Sequence, residues 1–460
     1  MKKDRNLQRD SLDFGNENIP KLFRALFFPT LVGMVFNALL TIIDGVFVGQ
    51  GVGANGIAAV NIVAPLFMVV TGIGLMLGIG ASVIASIRLA NREVKAANII
   101  GTQAFVVGVA IVAALSLLCL SAPDGVVTAL GSSEALRADA AGYLLWLLPG
   151  MIFLLVQCVG LMLIRLDGSP RYAMMCNVTA AVFNIGLDYL LVFPMDMGVA
   201  GAAVATSVSC ALGGIMVLVY FVKYSSTLKF YRLKLSVTSL LLTLRNTGYM
   251  AKIGFATLLT ELAMSVMMLT GNHVFIHALG EDGVAAFSIA CYLFPIMFSI
   301  SNAVAQSVQP IISYNFGAGD MGRVAKSLRV ALVAALVCGT VVTVSVAAGA
   351  RLIVSLFLSP ESGAFDIACA GLPKYALCGL FFALNIAFIG YYQSLEKSVR
   401  ATVFTLLRGI VFIVSMFLYL PHLLGVPGMW LAIPVSEMLT TAVIVADFML
   451  TRRRLARARS

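Results

Sequence analysis

Charge is scarce in this chain: 11% of its 460 residues are Asp, Glu, Lys or Arg, while 60% are hydrophobic. Soluble globular domains carry about 25% charged residues, so that class is excluded. Histidine is scarcer still, with three, and no HExxH pair occurs, which leaves little from which to build a membrane-embedded metalloprotease or acyltransferase. No GxxxxGK[ST] run is present, so nothing suggests direct use of ATP. No CxxC pair occurs either: Cys119, Cys158, Cys176, Cys210, Cys291, Cys338, Cys369 and Cys378 fall in or beside apolar stretches and read as packing thiols rather than metal ligands or disulfides. Residues 1–20 are polar and lack the short apolar core of a cleaved signal peptide.

What the chain does have is apolar sequence in blocks. A membrane-crossing helix needs about 20 such residues. The blocks fall near residues 22–48, 55–87, 96–120, 138–164, 172–194, 198–222, 248–278, 283–314, 323–349, 368–394, 399–420 and 427–450. The fold class is therefore an all-α membrane protein with about twelve transmembrane helices. The net charge of +10 could point to nucleic acid, yet the positives follow topology. Lys2, Lys3, Arg5, Arg9, Lys21 and Arg24 precede the first span, Arg88, Arg92 and Lys95 follow the second, and Arg165 and Arg171 flank the loop after the fourth. Lys223, Lys229, Arg232, Lys234, Arg245 and Lys252 surround the middle of the chain, Arg323, Lys326 and Arg329 follow the eighth span, and Arg452, Arg453 and Arg454 follow the last. The alternate loops carry Asp124, Glu134, Asp196, Glu281, Asp282 and Glu361 instead. By the positive-inside rule both termini are cytoplasmic, as an even number of spans also requires.

The chain repeats itself. GANGIAAVNIVAPLF from Gly53 to Phe67 aligns with GEDGVAAFSIACYLF from Gly280 to Phe294, and GVAGAAVATSVSC from Gly198 aligns with GVPGMWLAIPVSE from Gly425, both at an offset of 227. A duplicated six-helix unit explains both matches. It predicts two pseudo-symmetric six-helix bundles around a central cleft, related by an axis along the membrane normal. The expected organisation is a cytoplasmic segment at 1–20, a first bundle at 21–223, a cytoplasmic linker at 224–247, a second bundle at 248–451 and a basic tail at 452–460. Pro29, Pro65, Pro149, Pro295, Pro310 and Pro434 fall inside spans, where proline frees a backbone carbonyl and permits bending.

Asp44, Asp188 and Glu261 lie deep within apolar runs, and intramembrane carboxylates are costly unless they face a polar cavity or a partner. Asp44 near the end of the first span, Asn184 and Asp188 in the fifth, and Thr206 early in the sixth share one depth, roughly 7 to 15 Å below the outer surface at a rise of about 1.5 Å per residue. The spacing of Asn177, Asn184 and Asp188 puts them on one helix face. Such a set of hard oxygens suits a sodium ion; alternatively, two adjacent carboxylates share a proton. The plainer reading is that Asn184 and Asp188 bond neighbouring helices. Glu261 is expected to be a second coupling acid or a ligand for a cationic substrate, or else a helix-to-helix hydrogen bond. Arg408 and Glu437 are expected to pair with each other, and His273 and His277 to face the membrane interface.

TIIDGVFVG around Asp44, FNIGLDYLLVF followed by GVAGAAVATSVS, and QPIISYNFGAG from Gln309 together make the chain resemble the MATE (multidrug and toxic compound extrusion) family over about residues 20–450. On that resemblance Asp44 matches the first-span acid, Asn184 and Asp188 the fifth-span pair, Thr206 the sixth-span hydroxyl, and Glu261 the seventh-span acid of another branch. That branch also has a tenth-span aspartate, which GLFFALNIAFIGYYQ lacks, so the first-half cluster carries more weight. Tyr143 is expected to border the same cavity. The resemblance implies a secondary antiporter of the cytoplasmic (inner) membrane, working as a monomer without a cofactor and exporting organic, often cationic and amphipathic compounds in exchange for sodium ions or protons. Its partners would be small substrates and the lipid bilayer, with no nucleic acid. The alternative is a lipid-linked oligosaccharide flippase of related architecture, which would need a cleft rich in arginine and lysine to grip pyrophosphate.

Overall fold

A computed structural model describes residues 12–234 and 236–457. Lys2, Lys3, Arg5 and Arg9 of the expected cytoplasmic segment, and the last residues of the expected basic tail, lie outside the described residues. Among the described residues the chain is helical, without strands. Eleven helices are long and apolar enough to cross a membrane, and one of them, the 81-residue Val237–Gly317, is broken at Gly280. There the backbone takes φ 67° and ψ −153°, a region open to glycine alone. That break turns eleven helices into twelve crossings, and the protein is a multi-pass membrane protein.

The first six spans are Ile19–Gly51, Ala54–Ala90, Val94–Ser121, Arg137–Leu166, Pro170–Val192 and Gly198–Val219. The seventh and eighth are the two arms of the broken helix. Met321–Ala348 is the ninth, Gly363–Ala376 and Cys378–Ser394 together form the tenth, Ser398–Leu424 is the eleventh and Val426–Arg457 the last. The eleventh carries a π-helical turn at Leu407–Val411. The seventh span begins at Val237, so much of the stretch expected as linker is helical; its extended part is pinned by Asp167, buried in the loop after the fourth span. Asp167 Oδ1 accepts from the N–H groups of Thr227 and Leu228 at 3.0 and 2.9 Å, and Oδ2 from Tyr220 Oη and Ser226 N at 2.7 and 3.2 Å.

The chain divides into two compact units. One takes the chain up to Glu261 with Gln306–Ser327 and Ser394–Glu396; the other takes Leu262–Ala305, Leu328–Gln393 and the chain from Lys397. The arms of the broken helix are thus shared: their ends far from Gly280 pack in the first unit and their middle belongs to the second. In the first unit, Gly80 of the second span lies against the carbonyl of Met250, and Gly254 of the seventh lies against the carbonyl of Met76. The glycines are reciprocal, one turn apart on each helix, and let the backbones touch as small residues do in membrane helix crossings. Around this crossing, Arg165 Nη1 donates to Gln306 Oε1 at 2.7 Å and Ser82 Oγ donates to Gln309 Oε1 at 3.2 Å, all buried.

An N-terminal strap closes one end of the first unit. Arg323 donates from Nη2 to the carbonyls of Phe14 and Glu17 at 2.9 and 2.8 Å and from Nε to Asn315 Oδ1 at 2.7 Å. Asn315 Nδ2 donates to the same Phe14 carbonyl at 3.0 Å. The strap's own turn is set by Asp13, whose carboxylate accepts from Asn16 Nδ2 and from Gly15 N. The Asn16 amide, more than any other neighbour, holds the Asp13 carboxyl below the usual range.

The crossing makes a direct prediction. Gly80→Ala and Gly254→Ala place a methyl group into a backbone carbonyl and should each cost about 1–3 kcal/mol, read as a lower thermal unfolding midpoint in detergent. Gly248→Ala, where an added Cβ meets nothing within 4 Å, should leave the midpoint unchanged or slightly raised.

Candidate functional site

The site forms where the first and fifth spans pack along each other. Asp44 sits near the C-terminal end of the first, and Asp188 near that of the fifth. Their carboxyl groups are close neighbours. Asp188 is fully buried, Asn184 one turn earlier on the same helix is 2% exposed, and Asp44 is half-buried. Tyr143 of the fourth span is buried close enough to feel both charges. Asp44, Asp188 and Tyr143 therefore lie near one another in the first unit, with Asn184 one turn from Asp188.

What these groups lack decides their chemistry. Asp44 Oδ1, both oxygens of Asp188 and Asn184 Nδ2 are buried without a protein hydrogen-bond partner. A buried polar atom left without a partner costs about 1–3 kcal/mol, more when charged. Two facing carboxylates add their mutual repulsion. Either a shared proton or a cation coordinated by these oxygens relieves both costs. The donors are hard oxygens, which fit a sodium ion and not a thiophilic metal. Asn177, expected on the same face, is engaged elsewhere: its Oδ1 accepts from Gln157 Nε2 at 3.0 Å, tying the fifth span to the fourth.

Thr206 does not join the pair. It is half-buried on the sixth span and forms no hydrogen bond with Asp44 or Asp188. Its neighbour Ser207 has a role that sequence reasoning missed. Ser207 Oγ donates to the Trp146 carbonyl at 2.6 Å and accepts from Gly150 N at 3.2 Å. The hydroxyl thereby ties the sixth span to the backbone of the fourth at residues 146 and 150, beside Pro149. The signal was Pro149, which disturbs the ladder; which neighbouring hydroxyl would bond there was not legible.

Glu261 is also apart. It is 8% exposed on the seventh span, packs against Gly72 of the second, and has no carboxylate beside it. Arg408 and Glu437 do pair, as expected, with Arg408 Nε donating to Glu437 Oε1 at 2.9 Å in the second unit. His273 and His277 are exposed, with ring centroids 4.4 Å apart.

Comparison with known proteins gives one answer. The sequence profile of the MatE family matches residues 29–190 and 256–441. The multidrug export protein MepA of Staphylococcus saprophyticus is 23% identical over 432 residues, covering 93% of each chain. MepA of Staphylococcus aureus strain MRSA252 is 23% identical over 427 residues, again 93% of each. Among solved structures, a MOP superfamily transporter from Pyrococcus furiosus Vc1 superposes with a TM-score of 0.87 at 22% identity, over 96% of this chain and 97% of that one. An outward-facing multidrug resistance MATE family transporter gives the same TM-score of 0.87, identity of 22% and coverage.

The orphaned oxygens predict an unusual gain. Asp188→Asn puts an N–H donor opposite Asp44 and removes one charge, so it should stabilise the protein by about 1 kcal/mol, seen as a higher unfolding midpoint in sodium-free buffer. A lower midpoint would mean that the native carboxylates already have their donors.

Proposed function

The chain belongs to the MatE family, and on that footing we propose that it is a secondary active antiporter. It exports organic, often cationic and amphipathic compounds and takes up sodium ions or protons in return, by alternating access. The observation that carries this reading is the Asp44–Asp188 pair, whose buried oxygens have no donor within the protein. Such a pair is stable only with a guest of positive charge, and a guest that must enter and leave is what couples an ion gradient to a substrate. Asn184 contributes the side-chain oxygen of its amide, Tyr143 walls the site, and Ser207 ties the sixth span to the one that carries Tyr143. The staphylococcal relatives, named for multidrug export over nearly their full length, support the same substrate class.

The remaining parts of the reading follow from it. The chain works as a monomer in the cytoplasmic membrane of a bacterium, with both termini in the cytoplasm, as the basic loops require. Thr206 serves the coupling site only when the sixth span turns its hydroxyl toward the pair. Glu261, alone and almost fully buried, is a subsidiary acid for substrate and not a second coupling centre.

Reconstituted vesicles test this. With a sodium gradient and a proton gradient imposed separately, the native protein should move a cationic dye under at least one of them. Asp44→Asn and Asp188→Asn should each reduce that movement to the level of protein-free vesicles, while inserting normally. Undiminished dye transport by both variants would remove the pair from the mechanism.

A further inference from the structure

The second unit contains a buried cation that its partner does not use up. Arg408, on the π-helical turn at Leu407–Val411, is 3% exposed, and π-turns recur at functional sites. Its guanidinium stacks over the Phe382 ring at 4.4 Å and engages Glu437 through Nε alone. Glu437 is already provided for. Its Oε2 accepts from Asn385 Nδ2 at 2.7 Å, and Asn385 Oδ1 in turn accepts from Thr441 Oγ1 at 2.8 Å. Arg408 Nη1, turned away from the edge that meets Glu437, is buried without any partner. Beside it lies a cavity of about 10 Å³ lined by Met264, Met267, Phe294, Gly409 and Ile413.

As it stands the cavity has room for roughly one oxygen atom. Methionine side chains change rotamer readily and fit varied shapes, so Met264 and Met267 let it widen around a larger guest. The unpaired N–H of a guanidinium calls for an acceptor oxygen, most strongly a carboxylate. Charge then limits the guest further. Arg408 and Glu437 together are neutral, and adding a net anion to a buried neutral pair is expensive. A carboxylate is tolerated when the molecule that brings it also brings its own cation.

We infer that the Arg408 pocket is a second substrate subsite, which takes the carboxylate of a zwitterionic aromatic compound while Met264, Met267 and Phe294 pack against its rings. The subsite rests on the export reading above but is separable from the coupling pair, since it lies in the other unit. It would give the carboxylate of such a substrate a ligand of its own, using residues for which the cation-coupling chemistry has no role.

Rhodamine 110 is a zwitterion with a free carboxylate, and rhodamine 123 is its cationic methyl ester, so the two dyes differ at the group in question. Binding of each to the purified full chain in nanodiscs, followed by fluorescence anisotropy, gives the contrast. Two variants serve: Arg408→Gln with Glu437→Gln, which keeps a neutral hydrogen-bonding pair, and Met267→Trp, which fills the cavity and leaves the ion pair intact. Each should weaken rhodamine 110 by about tenfold, the worth of one charge-assisted hydrogen bond, with rhodamine 123 changed less than twofold. Equal loss for both dyes, no loss for either, or no binding of rhodamine 110 by the native chain would each overturn the subsite and leave Arg408 as a brace. Failure of the native chain to export rhodamine 123 under either gradient would sink the export reading instead, and the anisotropy result would still stand or fall alone.

Discussion

Two carboxylates that face each other, with no N–H or O–H from the protein to quiet them, are the constraint on which this molecule turns. In water such a pair would be unremarkable. Between helices it is costly, which is why we propose that a cation or a proton completes it. The surrounding structure keeps the pair in this condition. Spans one and five hold the acids opposite each other, Asn177 is diverted to Gln157, and the only hydroxyl of the neighbouring Thr206–Ser207 step that bonds across is spent on the backbone of the fourth span.

The second unit solves the same problem differently. Its deep acid, Glu437, is answered by a guanidinium and an amide, and the chain of bonds from Thr441 through Asn385 to Arg408 ties the tenth, eleventh and twelfth spans. Buried ion pairs of this kind add little net stability compared with an apolar core, yet they are strongly specific about geometry. The duplication evident in the sequence therefore does not extend to chemistry. One repeat keeps its acids unsatisfied and the other satisfies its acid, which explains why only the first resembles a place where ions are exchanged.

Much of this was readable before any coordinates. Span number and the all-helical fold follow from hydropathy, because a lipid environment leaves the backbone few options, and the shared depth of Asp44, Asn184 and Asp188 follows from their places within the spans. The break at Gly280 was foreshadowed by its alignment with Gly53, itself at positive φ. Rotation of a helix about its axis was not readable to the same degree. Thr206 and Ser207 are adjacent, so a turn of about 100° decides which reaches the fourth span, and the spacing did not single out Ser207 for that contact. Nor did composition reveal that the arms of the broken helix would lend their far ends to the first unit, since that depends on glycine contacts between backbones distant in the chain. The Arg408–Glu437 pair was anticipated, but its unused donor and the cavity beside it are facts of packing that no spacing encodes.

The strap held by Arg323 is addressed through main-chain carbonyls, not through the side chains of Phe14 and Glu17. Arg323 itself therefore sets no demand on the identity of residues 14 and 17, and what fixes the sequence there is the Asp13 turn and the packing of Phe14 on Tyr314. A substitution that keeps the backbone of that turn leaves the arginine's grip intact, whereas removal of the guanidinium would take a donor from three oxygens at once.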